Sequence, residues 1–183
     1  SFMNSEKLKK HMRCLFTYGG MYLVCNSNLL YHASVPLNED GSFKHVNICG
    51  KEYWGKNLLD KIDQLIRTAY FDEDDEEEKR FAMDYIWYLW CGPDAPSFDK
   101  DKMATFERYF IADKSLHKET KGYYYALRNK EEICDRILEE FGVTGQHTHI
   151  INGHAPVKTI KGEQPMKAGG KLLVIDGGFS KRS

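Results

Sequence analysis

Apolar residues recur along the chain at two different periods. Leu58, Ile62, Leu65, Ile66 and Ala69 share one face at a 3.6-residue repeat, which predicts an amphipathic helix over 55–71. Leu8, Met12, Leu15 and Phe16 predict another over 6–16. An aromatic-rich helix is expected over 81–90, stopped by Gly92 and Pro93. A fourth covers 129–141, with Ile133, Ile137, Leu138 and Phe141 turned inward and Gly142 as the C-cap. Short apolar runs bounded by turn residues predict strands. They lie at 21–25 and 28–32 around Asn26 and Ser27, at 43–48 before Gly50, at 149–152 and at 171–176. Residues 103–112 fit a helix or an extended segment equally, and 123–125 are too short to assign. Strands, then helices, then strands again predict a layered α/β or α+β fold.

The composition narrows the class. A chain of 183 residues suits one domain, or one domain with an insertion. Its 42% hydrophobic and 13% aromatic content is that of a folded protein with a real core. A formal net charge of -1 argues against a nucleic-acid binder held by a basic surface. It leaves room for a small phosphorylated ligand, because a pocket needs only a few cations. Five cysteines, with no C-x-x-C pair, read as reduced structural thiols in a cytoplasmic protein. No apolar run approaches the roughly 18 residues that a membrane helix needs. Residues 1–5 lack the apolar segment of a signal peptide and read as added residues or a linker, with the partial domain over 6–183. The end, just after an apolar strand and a Gly-Gly turn, reads as a cut. The acidic run at 72–78 reads as a solvated loop and helix N-terminus, since consecutive carboxylates point in different directions.

Two histidines stand out by position. His32 ends one predicted strand, and His154 follows Gly153 just past another. A histidine at a strand end is held rigidly while its ring faces the loops, which suits a metal ligand. Gly153 would let the backbone turn sharply there. His147 and His149 alternate by two and would share a strand face, which reads better as a surface strand start than as a chelate.

Longer strings carry a family signature. Ile-Asn-Gly-His-Ala-Pro-Val at 151–157, then Lys-Leu-Leu-Val-Ile-Asp-Gly-Gly at 171–178, resembles the closing motif of calcineurin-like metallophosphatases. The strand ending in His32 and Ala33 resembles their preceding histidine motif. Met-Tyr-Leu-Val at 21–24, the stretch 36–43, Trp-Tyr-Leu-Trp-Cys-Gly at 87–92, the stretch 100–113 and Ile-Asp-Gly-Gly-Phe at 175–179 are similar to class III fructose-1,6-bisphosphatases of the Firmicutes type. The resemblance runs from about Glu6 to Arg182.

It implies the C-terminal half of a four-layer αββα sandwich with a helical insertion over about 55–141. It also implies a dinuclear metal centre, commonly Mn2+, with His32 and His154 as the ligands from this part. The implied reaction is hydrolysis of fructose 1,6-bisphosphate to fructose 6-phosphate by a metal-activated water, a step of gluconeogenesis. The superfamily's other ligands come from Asp-x-His, Gly-Asp and Gly-Asn-His motifs, and none of the three occurs here. The fragment alone is therefore expected to be inactive, with one sheet face or edge exposed or covered by another copy in a homo-oligomer.

For substrate phosphate, Lys102, Arg108, Lys114 and Arg128 lie in the insertion, and Arg108, flanked by Phe106 and Tyr109, is the favoured contact. Two alternatives remain: a related phosphatase for phosphoproteins or dinucleoside polyphosphates, and a non-catalytic oligomerisation or regulatory module built on the aromatic helix. The module reading gains if His32 and His154 lie far apart.

Overall fold

A computed structural model describes residues 4–72, 74–158 and 161–176. It is a mixed α/β structure around a five-stranded mixed sheet of order β1-β2-β5-β7-β6. Helix α1 (Glu6–Tyr18) is capped by the Ser5 hydroxyl, which accepts from the Leu8 amide. It leads into the hairpin of β1 (Tyr22–Cys25) and β2 (Asn28–Tyr31). Asn26 and Ser27 both have positive φ, as the favoured two-residue hairpin turn demands. A separate small hairpin, β3 (Val46–Ile48) and β4 (Lys51–Tyr53), follows. β4 carries no apolar run that predicts it: two of its three residues are charged and exposed, and only Tyr53 packs against the core.

The helices then run in series: α2 (Gly55–Phe71), α3 (Glu76–Cys91), α4 (Thr105–Phe110), α5 (Tyr124–Leu127) and α6 (Glu131–Glu140). Asp75 caps α3 by accepting from the amides of Glu77 and Glu78, so the acidic run serves a helix start, as its chemistry predicts. The C-cap of α6 is Phe141, and Gly142, expected at the cap, follows it with the left-handed φ of +71 that ends many helices. After α6 the chain returns to β5 (His149–Asn152), β6 (Met166–Lys167) and β7 (Leu172–Val174).

β2, β5 and β7 are parallel neighbours, flanked by antiparallel β1 and β6. The register separates two faces. Leu29, Ile150 and Leu172 sit side by side and are buried, and they join Leu58, Leu59 and Ile62 of α2 and Ile137 and Leu138 of α6 in one core. The opposite row runs Leu23, Leu30, Ile151, Leu173 and Met166 across all five strands. The ends of this row are open to solvent, Leu23 58% exposed and Met166 51%, and Leu30, Ile151 and Leu173 between them are half-buried. This second face of the sheet is thus less buried than the core face.

The aromatic helix divides between core and surface. Ala82 and Leu89 of α3 reach the core, whereas Trp87 and Trp90 are about two-thirds exposed. Fully buried Tyr124 of α5 takes an aromatic core position instead. No helix among the described residues is long and apolar enough to cross a membrane.

Candidate functional site

The C-terminal ends of the parallel strands form one edge, the usual place for ligands in such sheets. His32 follows β2, Gly153 and His154 follow β5, and Ile175 and Asp176 follow β7. Because β2 and β5 are hydrogen-bonded neighbours, the two histidines emerge side by side. The Nε2 of His32 lies 3.1 Å from the Nδ1 of His154, with ring centroids 5.0 Å apart. Two nitrogens bound to one ion at about 2.1 Å and near a right angle would be about 3 Å apart. The pair therefore fits two adjacent positions on a single metal. Among the described residues no cluster of three or more His, Cys, Asp or Glu could hold one, so these atoms supply only part of a shell.

The backbone is strained at this point. His154 has φ +64, in the left-handed region, while Gly153 does not. The sharp turn anticipated at Gly153 is taken one residue later, by a residue type that pays for left-handed backbone with local strain. The Gly153 amide donates to the His32 carbonyl at 2.9 Å, and the Ile175 amide donates to the Asn152 carbonyl at 2.8 Å.

His154 is partly buried, and burial is the first reason its pKa lies below the usual imidazole value; the charges of His32 and Lys100 act in the same direction and Asp176 opposes them. A neutral imidazole keeps the lone pair that a metal needs. His32 lines an open cleft of about 870 Å³ together with Ser34, Asn152, Gly153 and Ile175, while His154 sits outside that lining.

Beneath the edge lies a buried polar bridge. Asn152 Nδ2 donates to the Ala33 carbonyl at 2.9 Å and to the Tyr124 hydroxyl at 2.6 Å. The Tyr31 and Tyr124 hydroxyls are 2.8 Å apart. Burial pushes both phenols above their usual range, so they remain neutral hydrogen-bonding groups.

Of the cations, Lys100 reaches His154 electrostatically, and the sequence did not single it out. It is held by Glu119 at 2.8 Å, and Glu119 also accepts the Ala104 amide at 2.9 Å. Arg108 lies 3.4 Å from the same carboxylate and donates to the His117 carbonyl at 3.2 Å. Phe106 and Tyr109, expected to anchor it, are themselves exposed because α4 is a short surface helix. Arg128 is buried over the Tyr125 ring, with its Nη1 unpaired among the described residues. His149 Nδ1 lies 3.0 Å from the Gly170 carbonyl, which supports the surface-strand reading of that histidine. Residues 159–160 and 177–179, part of the motif strings, lie outside the described residues.

A family model described as Firmicute fructose-1,6-bisphosphatase matches residues 1–182. The chain belongs to the Firmicute fructose-1,6-bisphosphatase family. Curated proteins named fructose-1,6-bisphosphatase class 3 agree with it. That of Bacteroides fragilis is 99% identical over 181 residues, that of Bacteroides thetaiotaomicron 82% and that of Clostridium tetani 60%; each alignment covers 99% of this chain. The chain spans 27% of the length of each of these relatives. No solved structure matches it.

Proposed function

We propose that this chain is the C-terminal part of a fructose-1,6-bisphosphatase and that His32 and His154 are two ligands of its metal centre. The observation that carries the reading is the 3.1 Å approach of two imidazoles at the ends of neighbouring parallel strands. The fold would be half of a calcineurin-like αββα sandwich, with the row from Leu23 to Met166 as the face where the other half would sit. The metal would be Mn2+, in a dinuclear centre. A bound divalent ion there would polarise a phosphoryl oxygen and lower the pKa of a bound water.

The chain's own residues prepare that site. His32 and His154 present ring nitrogens 3.1 Å apart, and burial lowers the pKa of His154, which favours its neutral form. Lys100, paired with Glu119, would favour an anionic phosphate at this edge if substrate draws it from the carboxylate. Arg108, sharing Glu119, would contact the phosphorylated sugar if substrate draws it from the carboxylate. Five free cysteines suit a cytoplasmic setting. With the remaining metal motifs absent from the sequence, the chain alone would not catalyse the reaction.

The test is phosphate release from fructose 1,6-bisphosphate by the full-length protein, over a range of Mn2+ concentrations. His32→Ala and His154→Ala should each lower kcat at least about 100-fold, as loss of a metal ligand does. Unchanged activity in both variants would overturn the site. Manganese-dependent activity of the 183-residue chain by itself would overturn the incomplete-site reading.

A further inference from the structure

We infer that Asn152 is a positioning residue that sets the distance between His32 and His154 by tying the ends of β2 and β5 together beneath the rings. The inference rests on the proposed metal role of the pair. Asn152 is 1% exposed and lies two residues before His154. Its side chain crosses to the Ala33 carbonyl, one residue after His32. The amide can face only one way. A carbonyl accepts and never donates, so the atom beside the Ala33 oxygen is the NH2 group. Its second hydrogen goes to the Tyr124 hydroxyl, which meets the Tyr31 hydroxyl immediately before His32.

Each histidine is thus flanked by a residue of the bridge. Two strands joined only by backbone hydrogen bonds end at the pair: the Leu30–Ile151 register is the last Cα pairing between them, and the Gly153 amide to His32 carbonyl bond is the last backbone tie. The Asn152 to Ala33 bond adds a side-chain tie that spans the same two strand ends from the buried side. Aspartate at 152 could not replace asparagine, because an ionised carboxylate offers no donor to Ala33. Tyr124 comes from α5 in the middle of the helical segment, so the bridge also locks that segment to the metal edge.

The experiment compares Mn2+ affinity with stability in the full-length protein, using electron paramagnetic resonance of free Mn2+ and urea unfolding without metal. Asn152→Leu keeps the volume and removes the donors. It should weaken Mn2+ binding about 10- to 100-fold, the usual effect of losing a group that orients a ligand. Tyr124→Phe leaves the Asn152 to Ala33 bond intact. It should lower stability while changing Mn2+ affinity less than about threefold. The double variant removes both halves of the Asn152–Tyr124 bond but leaves the Ala33 carbonyl and the Tyr31 hydroxyl each short of a partner, so it should cost less stability than the two single variants added together and should not regain affinity. Wild-type affinity in Asn152→Leu would overturn the proposal. Affinity and stability falling in parallel across all three variants would also overturn it, leaving Asn152 a packing residue. His154→Ala in the same assay tells the two readings apart: if it binds Mn2+ normally, the histidine site itself fails and the positioning role with it.

Discussion

The amide of Gly153 donates to the carbonyl of His32 across 2.9 Å, and a Cβ built on Gly153 would meet its nearest atoms, Asp176 Cβ and the His32 oxygen, only at 3.6 and 3.7 Å. The close approach is thus made by backbone and leaves room for a methyl group. Gly153→Ala should cost less than about 0.5 kcal/mol. A Cβ at Gly122, by contrast, would run into the carboxylate of buried Asp99. Gly122→Ala should cost about 1–3 kcal/mol, the range for overpacking. Urea unfolding of the two variants side by side checks the pair, and equal costs would contradict the tight seat of Asp99.

Asp99 gives the fold a pH dependence. Its pKa is pushed up to about 6, first by burial and then by Asp94, while Lys44 and the Tyr124 amide oppose the shift. The folded protein therefore holds this proton more tightly than the unfolded chain. Its contribution is most favourable below the ordinary value of 3.8 and is lost as pH rises through about 6. Between those limits the group should remove up to about 3 kcal/mol of stability, at 1.36 kcal/mol for each pH unit. Asp99→Asn should abolish that slope and be more stable at pH 7.5, because asparagine tolerates the positive φ of this position and still accepts the Tyr124 amide. Unfolding curves at pH 4.5, 6 and 7.5 decide it.

The strain at His154 separates stability from metal binding. His154→Gly relieves the left-handed backbone and should be about 1 kcal/mol more stable than His154→Ala, which keeps the strain. Both variants should lose Mn2+ affinity equally in the full-length protein. A glycine variant no more stable than the alanine one would mean that position 154 is not held left-handed.

The less buried sheet face should make this chain associate. Leu23→Lys places a charge in the exposed row at little folding cost, under about 0.5 kcal/mol. Sedimentation should show less self-association for the variant than for the unchanged chain. Association insensitive to Leu23 and equally to Ile151→Lys would move the contact elsewhere, with the exposed Trp87 and Trp90 of α3 next to be tested.

Much of the frame was legible from local pattern. The 3.6-residue repeat of Leu58, Ile62, Leu65 and Ala69 predicted α2, and Asn26 and Ser27 between two apolar runs predicted the β1–β2 hairpin. The strands that lead to His32 and His154 were also readable, because each is a short apolar run bounded by polar and turn residues. β4 and the two-residue β6 left no such signal, as short edge strands need little buried surface. The aromatic run of α3 left core and interface open, because apolar side chains suit both, and only the fold shows Trp87 and Trp90 facing outward.

The sequence by itself determined the family, the helix and strand types where periodicity was strong, and the two histidines as candidate ligands. Only the tertiary structure decided that they meet. They are 122 positions apart, and no local rule fixes which strands become neighbours. The parallel pairing of β2 with β5 puts them on one edge, and Asn152, Tyr124 and Tyr31 gain their roles only there, because a buried hydrogen bond joins groups that distant segments bring together. Lys100 near His154 and the unpaired atoms of Arg128 and Asp99 belong to the same class, since burial and charge proximity are properties of the folded surroundings and not of the residue's neighbours in the chain.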